Sequence, residues 1–116
     1  MIWRKEVQEP YFTYLLMGIK IVEGRLNRDD WAQMETGDEI IFVSTATGLE
    51  AKFKIIGIHE VSSFDRLYAL FGRKLLPKEE PSIYRQFFTQ EDEEKYGVVG
   101  VQLEKSFDHL WDKKTL

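Results

Sequence analysis

The sequence predicts an α+β domain, a small, curled mixed sheet with short helices set between its strands. Three observations predict it. Leu49, Ala51, Phe53 and Ile55 alternate with Glu50, Lys52 and Lys54, the period-two pattern of a strand with one wet face. Apolar residues at helical spacing recur elsewhere, each stretch opened or closed by Pro, Ser, Thr or Gly at a cap position. A length of 116 residues suits one domain and leaves no room for a separate catalytic module. The expected organisation is a single domain over 1–116, with 105–116 as a mobile tail.

The elements follow in order. Pro10 suits the first position of a helix, where its missing N–H is not needed, and Tyr11, Tyr14 and Leu15 supply the apolar face. Gly18 is placed to end that helix in a left-handed conformation. Residues 19–26 are a β-branched run and read as a strand. Residues 27–36 read as a loop holding one helical turn, capped by Asp29 or Asp30 and closed by Gly37. A strand over 39–44, a turn over 45–48 and the long alternating strand come next, with Gly57 as a candidate bulge that lets the strand curl. Ser62 or Ser63 caps a helix bearing Phe64, Leu67, Tyr68 and Phe71, which Gly72 stops. Residues 73–80 contain Pro77 and read as a loop, after which Pro81 starts a helix with Ile83, Tyr84, Phe87 and Phe88 along one face. Thr89 and Asp92 resemble a capping box for a short acidic helix. Residues 98–103 are almost wholly apolar and read as a central strand, and Leu110 and Trp111 in the tail could dock on the body.

Composition narrows the function. Cysteine is absent, which excludes disulfides, thiolate metal sites and cysteine nucleophiles and suits a reducing cytoplasm. His59 and His109 have no ligand-type partners at useful spacing, so neither a metal nor another cofactor is expected. No apolar run approaches a membrane span, and the first residues lack the apolar core of a signal peptide. A net charge of −4 is the wrong sign for coating duplex DNA. The charge is uneven, however: residues 49–78 hold six basic and three acidic side chains, whereas 89–112 hold seven acidic and two basic. A local basic surface therefore permits a small or single-stranded anion. No Gly-rich phosphate loop or Gly-x-Ser-x-Gly elbow occurs.

One stretch carries more chemistry than scaffolding requires. Gly18-Ile19-Lys20-Ile21-Val22-Glu23-Gly24-Arg25 sets three charges in an apolar run directly after a helix. In a regular strand over 19–26, Glu23 and Arg25 share a face with Ile19 and Ile21, and charges there are costly to bury unless paired. An internal Glu23–Arg25 ion pair is one outcome. The other is a ligand site, in which Arg25 offers a planar fork for a phosphate, Lys20 a point charge and Gly24 a bare backbone for close approach.

These residues also carry a likeness to a known family. Pro10-Tyr11-Phe12, Gly18-x-Lys20-x-x-Glu23-x-Arg25, Gly37-Asp38 ahead of Ile40-Ile41-Phe42, and Tyr96-Gly97-Val98-Val99 together resemble the ASCH (activating-signal-cointegrator homology) domains, whose fold is like that of the PUA RNA-binding domains. The resemblance covers most of the chain. It implies a PUA-like curled mixed β-barrel flanked by short helices, with a cleft lined by the Lys20–Arg25 strand and by Tyr11 of the first helix. It also implies RNA or a modified nucleoside as the ligand. Some relatives are amidohydrolases that deacetylate N4-acetylcytidine. Their catalytic lysine matches Lys20, their threonine three residues later is Glu23 here, and Glu79 or Glu80 lies where their glutamate is expected. That correspondence makes Lys20, Glu23 and Glu80 the candidate catalytic groups. Other ASCH proteins have been proposed as ribonucleases.

A carboxylate beside Lys20 keeps the ammonium charged, which favours a binding cation over a general base. Recognition of RNA or a modified nucleoside by Lys20, Glu23 and Arg25 is thus the leading expectation, with amidohydrolysis second and a protein-interaction domain with a structural ion pair third. Arg73 and Lys74 are candidate phosphate contacts at the mouth of the cleft. Trp3, Trp31 and Trp111 are read mainly as packing residues, as are Tyr84, Phe87 and Phe88. The oligomeric state is left open.

Overall fold

A computed structural model describes residues 1–106. The expectations for residues 107–116, including Leu110, Trp111 and His109, lie outside the described residues. Ahead of the first helix the chain forms a strand that local pattern does not announce, β1 (Ile2–Val7), whose Arg4, Lys5 and Glu6 mask its alternation. It exists because it pairs in parallel with a distant strand, β3 (Glu39–Ser44), from Ile2 opposite Glu39 to Val7 opposite Ser44.

Helix α1 (Tyr11–Met17) ends as expected at Gly18, with φ of 78° and its N–H on the carbonyls of Leu15 and Tyr14. Pro10 is the cap residue and not the first helical one, since its carbonyl accepts the first helical bond from Tyr14 N–H at 3.0 Å. Strand β2 (Val22–Leu26) is shorter than the 19–26 expected. The helix cap explains the difference. Ile19 and Lys20 both turn their N–H groups back to the Tyr14 carbonyl, and Ile21 N–H donates to the Lys74 carbonyl, so none is free to begin the strand. The face shared with Ile19 and Ile21 does not form, and Lys20 belongs to a turn.

A 3-10 turn over Asp29–Ala32 is capped at Arg28 and not at either aspartate, with Trp31 buried beneath it. Strand β4 (Glu50–Val61) keeps the predicted alternation, and its register against the last strand slips between Ile55 and Gly57, the bulge site expected. Ser63 caps α2 (Phe64–Phe71) by accepting from Arg66 N–H at 3.1 Å. A 3-10 turn over Gly72–Lys74 and a longer one over Pro81–Gln86 stand where a loop and an α-helix were expected. Thr89 caps α3 (Gln90–Tyr96), and β5 (Val98–Lys105) closes the sheet. Lys105 lies inside that strand and donates to the Leu16 carbonyl at 3.2 Å, so the predicted tail does not start at residue 105.

The five strands run in the order β1-β3-β4-β5-β2, antiparallel except for β1 with β3. The result is a curled, open half-barrel with short helices, the α+β fold expected. Because side chains alternate, the sheet has two cores. Inside the curl lie Val7, Phe12, Trp31, Ile40, Phe42, Phe53, Ile55, Val99, Val101 and Leu103. On the other face, Val22, Leu26 and Val98 pack against Phe64, Leu67, Leu75, Leu76 and Tyr84. Gly24 stands opposite Gly100 in the β2–β5 register, and that flat patch admits Leu67 of α2. A Cβ on Gly100 would lie 2.5 Å from Leu67 Cδ1. Among the described residues no helix is long and apolar enough to cross a membrane.

Candidate functional site

The two edge strands of the half-barrel, β1 and β2, supply facing walls of one cavity of about 330 Å³. Glu6 and Val7 come from β1, and Glu23, Gly24 and Arg25 from β2. Tyr11 of α1 and the aromatic segment bearing Tyr84 and Phe87 close it. Its size is that of a small-molecule site. The sheet is open where the cavity lies, so the failure of β1 and β2 to pair is what creates the cleft.

Lys20 sits in the wall with 2 % of its surface exposed. Its Nζ donates to the carbonyls of Val22 and Leu75, both at 2.6 Å, and stands 3.3 Å from Glu23 Oε1. An ammonium has three donors, and here each has an acceptor. Lys20 thus ties the start of β2 to the 74–76 segment and to Glu23. Burial pushes its pKa below the ordinary lysine value, opposed by the carboxylate of Glu23 and assisted by Arg25.

Glu23 is buried, and its other oxygen accepts from Arg25 Nη2 at 3.1 Å. Burial works against that carboxylate, but the charges and hydrogen bonds of Lys20 and Arg25 outweigh it and hold the pKa below the usual range. Two cations therefore face one anion. Arg25 is a quarter exposed, with its guanidinium 4.7 Å from the Trp31 ring centre and Nη2 3.4 Å from the Glu6 carbonyl. Of the two outcomes weighed for this stretch, the Glu23–Arg25 ion pair forms, and it borders a cleft.

Tyr11 lies in the cleft wall as the resemblance implies, edge-on to Tyr14 and Phe87. Glu80, Arg73 and Lys74 are not brought to it. Glu80 and Arg73 pair with each other at 2.8 Å on the surface, and Arg73 also donates to the Glu79 carbonyl. Lys74 serves the site through its backbone, as the acceptor for Ile21 N–H. Glu79 is the nearer glutamate. Its charge reaches Lys20 and Tyr11. Burial first, and then the Glu79 carboxylate, push the Tyr14 phenol above its ordinary value.

The missing Cβ of Gly24 makes room for protein, for a Cβ there would lie 2.9 Å from Tyr84 Oη and 3.0 Å from Leu67 Cδ2, while the residue itself lines the cleft. Trp31 is core, and Trp3 donates its indole N–H to Asp38 at 2.9 Å. His59 Nε2 is paired with Gln102 at 2.9 Å. Tyr84, Phe87 and Phe88 have a double role that helical spacing did not reveal. Tyr84 and Phe88 stack on Phe64, with ring centres 4.0 and 5.3 Å away, and Tyr84, Phe87 and Phe88 line the cleft. The only signal in the sequence was a tyrosine in a phenylalanine-rich stripe.

Comparison with known proteins agrees with this architecture. The family model for the ASCH domain matches residues 6–107. The crystal structure of the hypothetical protein PH0355 is similar over 91 % of this chain and 100 % of its own, with 36 % identity and a TM-score of 0.82. The solution structure of a Pyrococcus furiosus protein, PF0455, is similar over 90 % and 97 %, with 30 % identity and a TM-score of 0.73. The ASCH protein of Zymomonas mobilis shares the fold at 13 % identity and a TM-score of 0.60, over 89 % of this chain and 66 % of its own. No curated protein matches the sequence.

Proposed function

Since the chain belongs to the ASCH domain family, we propose that it binds one modified nucleoside at a time in the cleft between β1 and β2. The observation that carries this reading is the extent of the cleft. It is a bounded space of about 330 Å³ around Glu23 and Arg25, and it does not continue to Arg73 and Lys74, as a groove for a polynucleotide would. The aromatic rings of Tyr11 and Phe87 offer a wall for a flat heterocycle. Glu23 is held ionised and so accepts from a donor on the ligand such as a sugar hydroxyl, while Arg25 keeps it oriented and offers its remaining donors to an acceptor. Absence of cysteine is compatible with work in the cytoplasm.

A second reading, hydrolysis of an acylated cytidine, is favoured by one observation: Lys20 is buried in the cleft wall with its pKa driven down by burial. In that reaction water adds to the acyl carbonyl, the C–N bond breaks, and the amine leaves with a proton that Lys20 or Glu23 handles. The test is incubation and calorimetric titration with cytidine, N4-acetylcytidine and a short single-stranded RNA, with products read by mass. Saturable nucleoside binding with no gain from RNA length supports the proposal. Affinity that rises with RNA length and falls steeply with salt overturns it, and release of acetate selects the second reading.

A further inference from the structure

Every polar group that Lys20 can offer is already used inside the protein, so a ligand in the cleft must be read by other groups. Two unused sets lie side by side in the wall. The first is the Tyr84 hydroxyl. The residue is 7 % exposed, and its hydroxyl oxygen is buried with no hydrogen-bond partner among the described residues. A buried phenol without a partner is destabilising and is uncommon unless it has a use. Phenylalanine would fill the same space, as it does in the stacked neighbours Phe64 and Phe88.

The second is the backbone of Gly24. In an antiparallel pair, residues alternate between bonding the partner strand and pointing away from it. The Ile21 carbonyl bonds Leu103 N–H at 2.8 Å, so Glu23 and Arg25 also bond β5. Val22, Gly24 and Leu26 point to the open edge. The Val22 carbonyl there takes Lys20 Nζ, and the Leu26 carbonyl takes Arg28 N–H at 2.9 Å. The N–H and C=O of Gly24 have no such partner among the described residues, and Gly24 lines the cavity beside Tyr84.

We propose that the Tyr84 hydroxyl and the open-edge N–H and C=O of Gly24 form the recognition edge of the cleft. It would take a flat ring that carries a hydrogen-bond acceptor next to an N–H donor, as on the amidine edge of cytosine. Gly24 N–H donates to the ring nitrogen, Gly24 C=O accepts from the adjacent exocyclic N–H, and the Tyr84 hydroxyl donates to a further acceptor on the ligand. Burial, with Glu23 next in effect, raises the Tyr84 phenol pKa, so the hydroxyl keeps its proton and acts as a donor. This rests on the nucleoside reading of the cleft.

Calorimetric titration of the parent and of Tyr84→Phe with cytidine and N4,N4-dimethylcytidine tests it, with melting temperatures taken without ligand. The parent should bind cytidine, and Tyr84→Phe should bind it about tenfold more weakly, one hydrogen bond's worth. Tyr84→Phe should melt no lower than the parent, because only a group without a protein partner is removed. Dimethylcytidine, which lacks the exocyclic N–H, should bind the parent about tenfold more weakly than cytidine. Equal cytidine binding by parent and Tyr84→Phe overturns the hydroxyl's role while leaving the nucleoside reading intact, and a lower melting temperature in the variant also overturns it. Equal binding of the two nucleosides overturns the role of Gly24. Binding of neither nucleoside by the parent overturns the nucleoside reading and this inference together.

Discussion

Lys20→Met is the most informative single change, because it separates a positioning role from mere proximity to the cleft. The substitution keeps side-chain length and apolar bulk but removes all three donors. The carbonyls of Val22 and Leu75, each bonded at 2.6 Å, lose their buried partner, at about 1–3 kcal/mol each. Glu23 loses one of two cations but keeps Arg25 at 3.1 Å, so it is not left wholly uncompensated. Apolar burial of the methionine offsets about 1 kcal/mol of this. The net loss should be about 3 kcal/mol, or about 12 °C in melting temperature for a domain of this size. Thermal and urea unfolding followed by circular dichroism measure it. The double variant Lys20→Met, Glu23→Gln then reads the coupling. If Lys20 holds the carboxylate, the double variant should lose less than the two single losses added. A loss below about 1 kcal/mol in Lys20→Met, or strict additivity, would refute the three-way tie.

Other expectations concern the same neighbourhood. Arg25→Ala should lower stability by about 1–3 kcal/mol and weaken nucleoside binding, since Glu23 loses a charge-assisted bond, whereas Lys74→Ala should do neither; matching melting curves and isotherms would contradict this placement. Because the folded pKa of Glu23 lies below its unfolded value, the unfolded chain takes up the extra proton as pH falls. The stability from Glu23 is thus complete above about pH 4.3 and is lost as pH drops through the folded pKa. Glu23→Gln should show a shallower fall of melting temperature from about pH 5 to pH 3 than the parent, and parallel curves would remove Glu23 from the account. Gly100→Ala should cost about 1–3 kcal/mol by pressing on Leu67, with partial rescue by Leu67→Ala; an unchanged urea midpoint would show that α2 yields freely.

The sequence by itself determined the elements whose cause is local. The alternation along β4, the bulge by Gly57, the Gly18 cap and the Ser63 and Thr89 caps all depend on residues within a few positions of each other, and all formed where expected. The Gly18-to-Arg25 stretch stood out as a candidate site because charge in an apolar run is costly wherever it folds. Tertiary structure alone decided the rest. β1 is a strand because β3, more than thirty residues on, offers its edge. Lys20 became an internal tie because the 74–76 segment brings it the Leu75 carbonyl from 55 residues away. Glu80 lies away from the cleft because Arg73 holds it at the surface, and Tyr84 lines it because the 81–86 turn folds over the β2 edge. Period and propensity report which side of an element is apolar. Which distant backbone satisfies a buried donor, and which buried hydroxyl is left without one, depends on long-range packing that no local window contains.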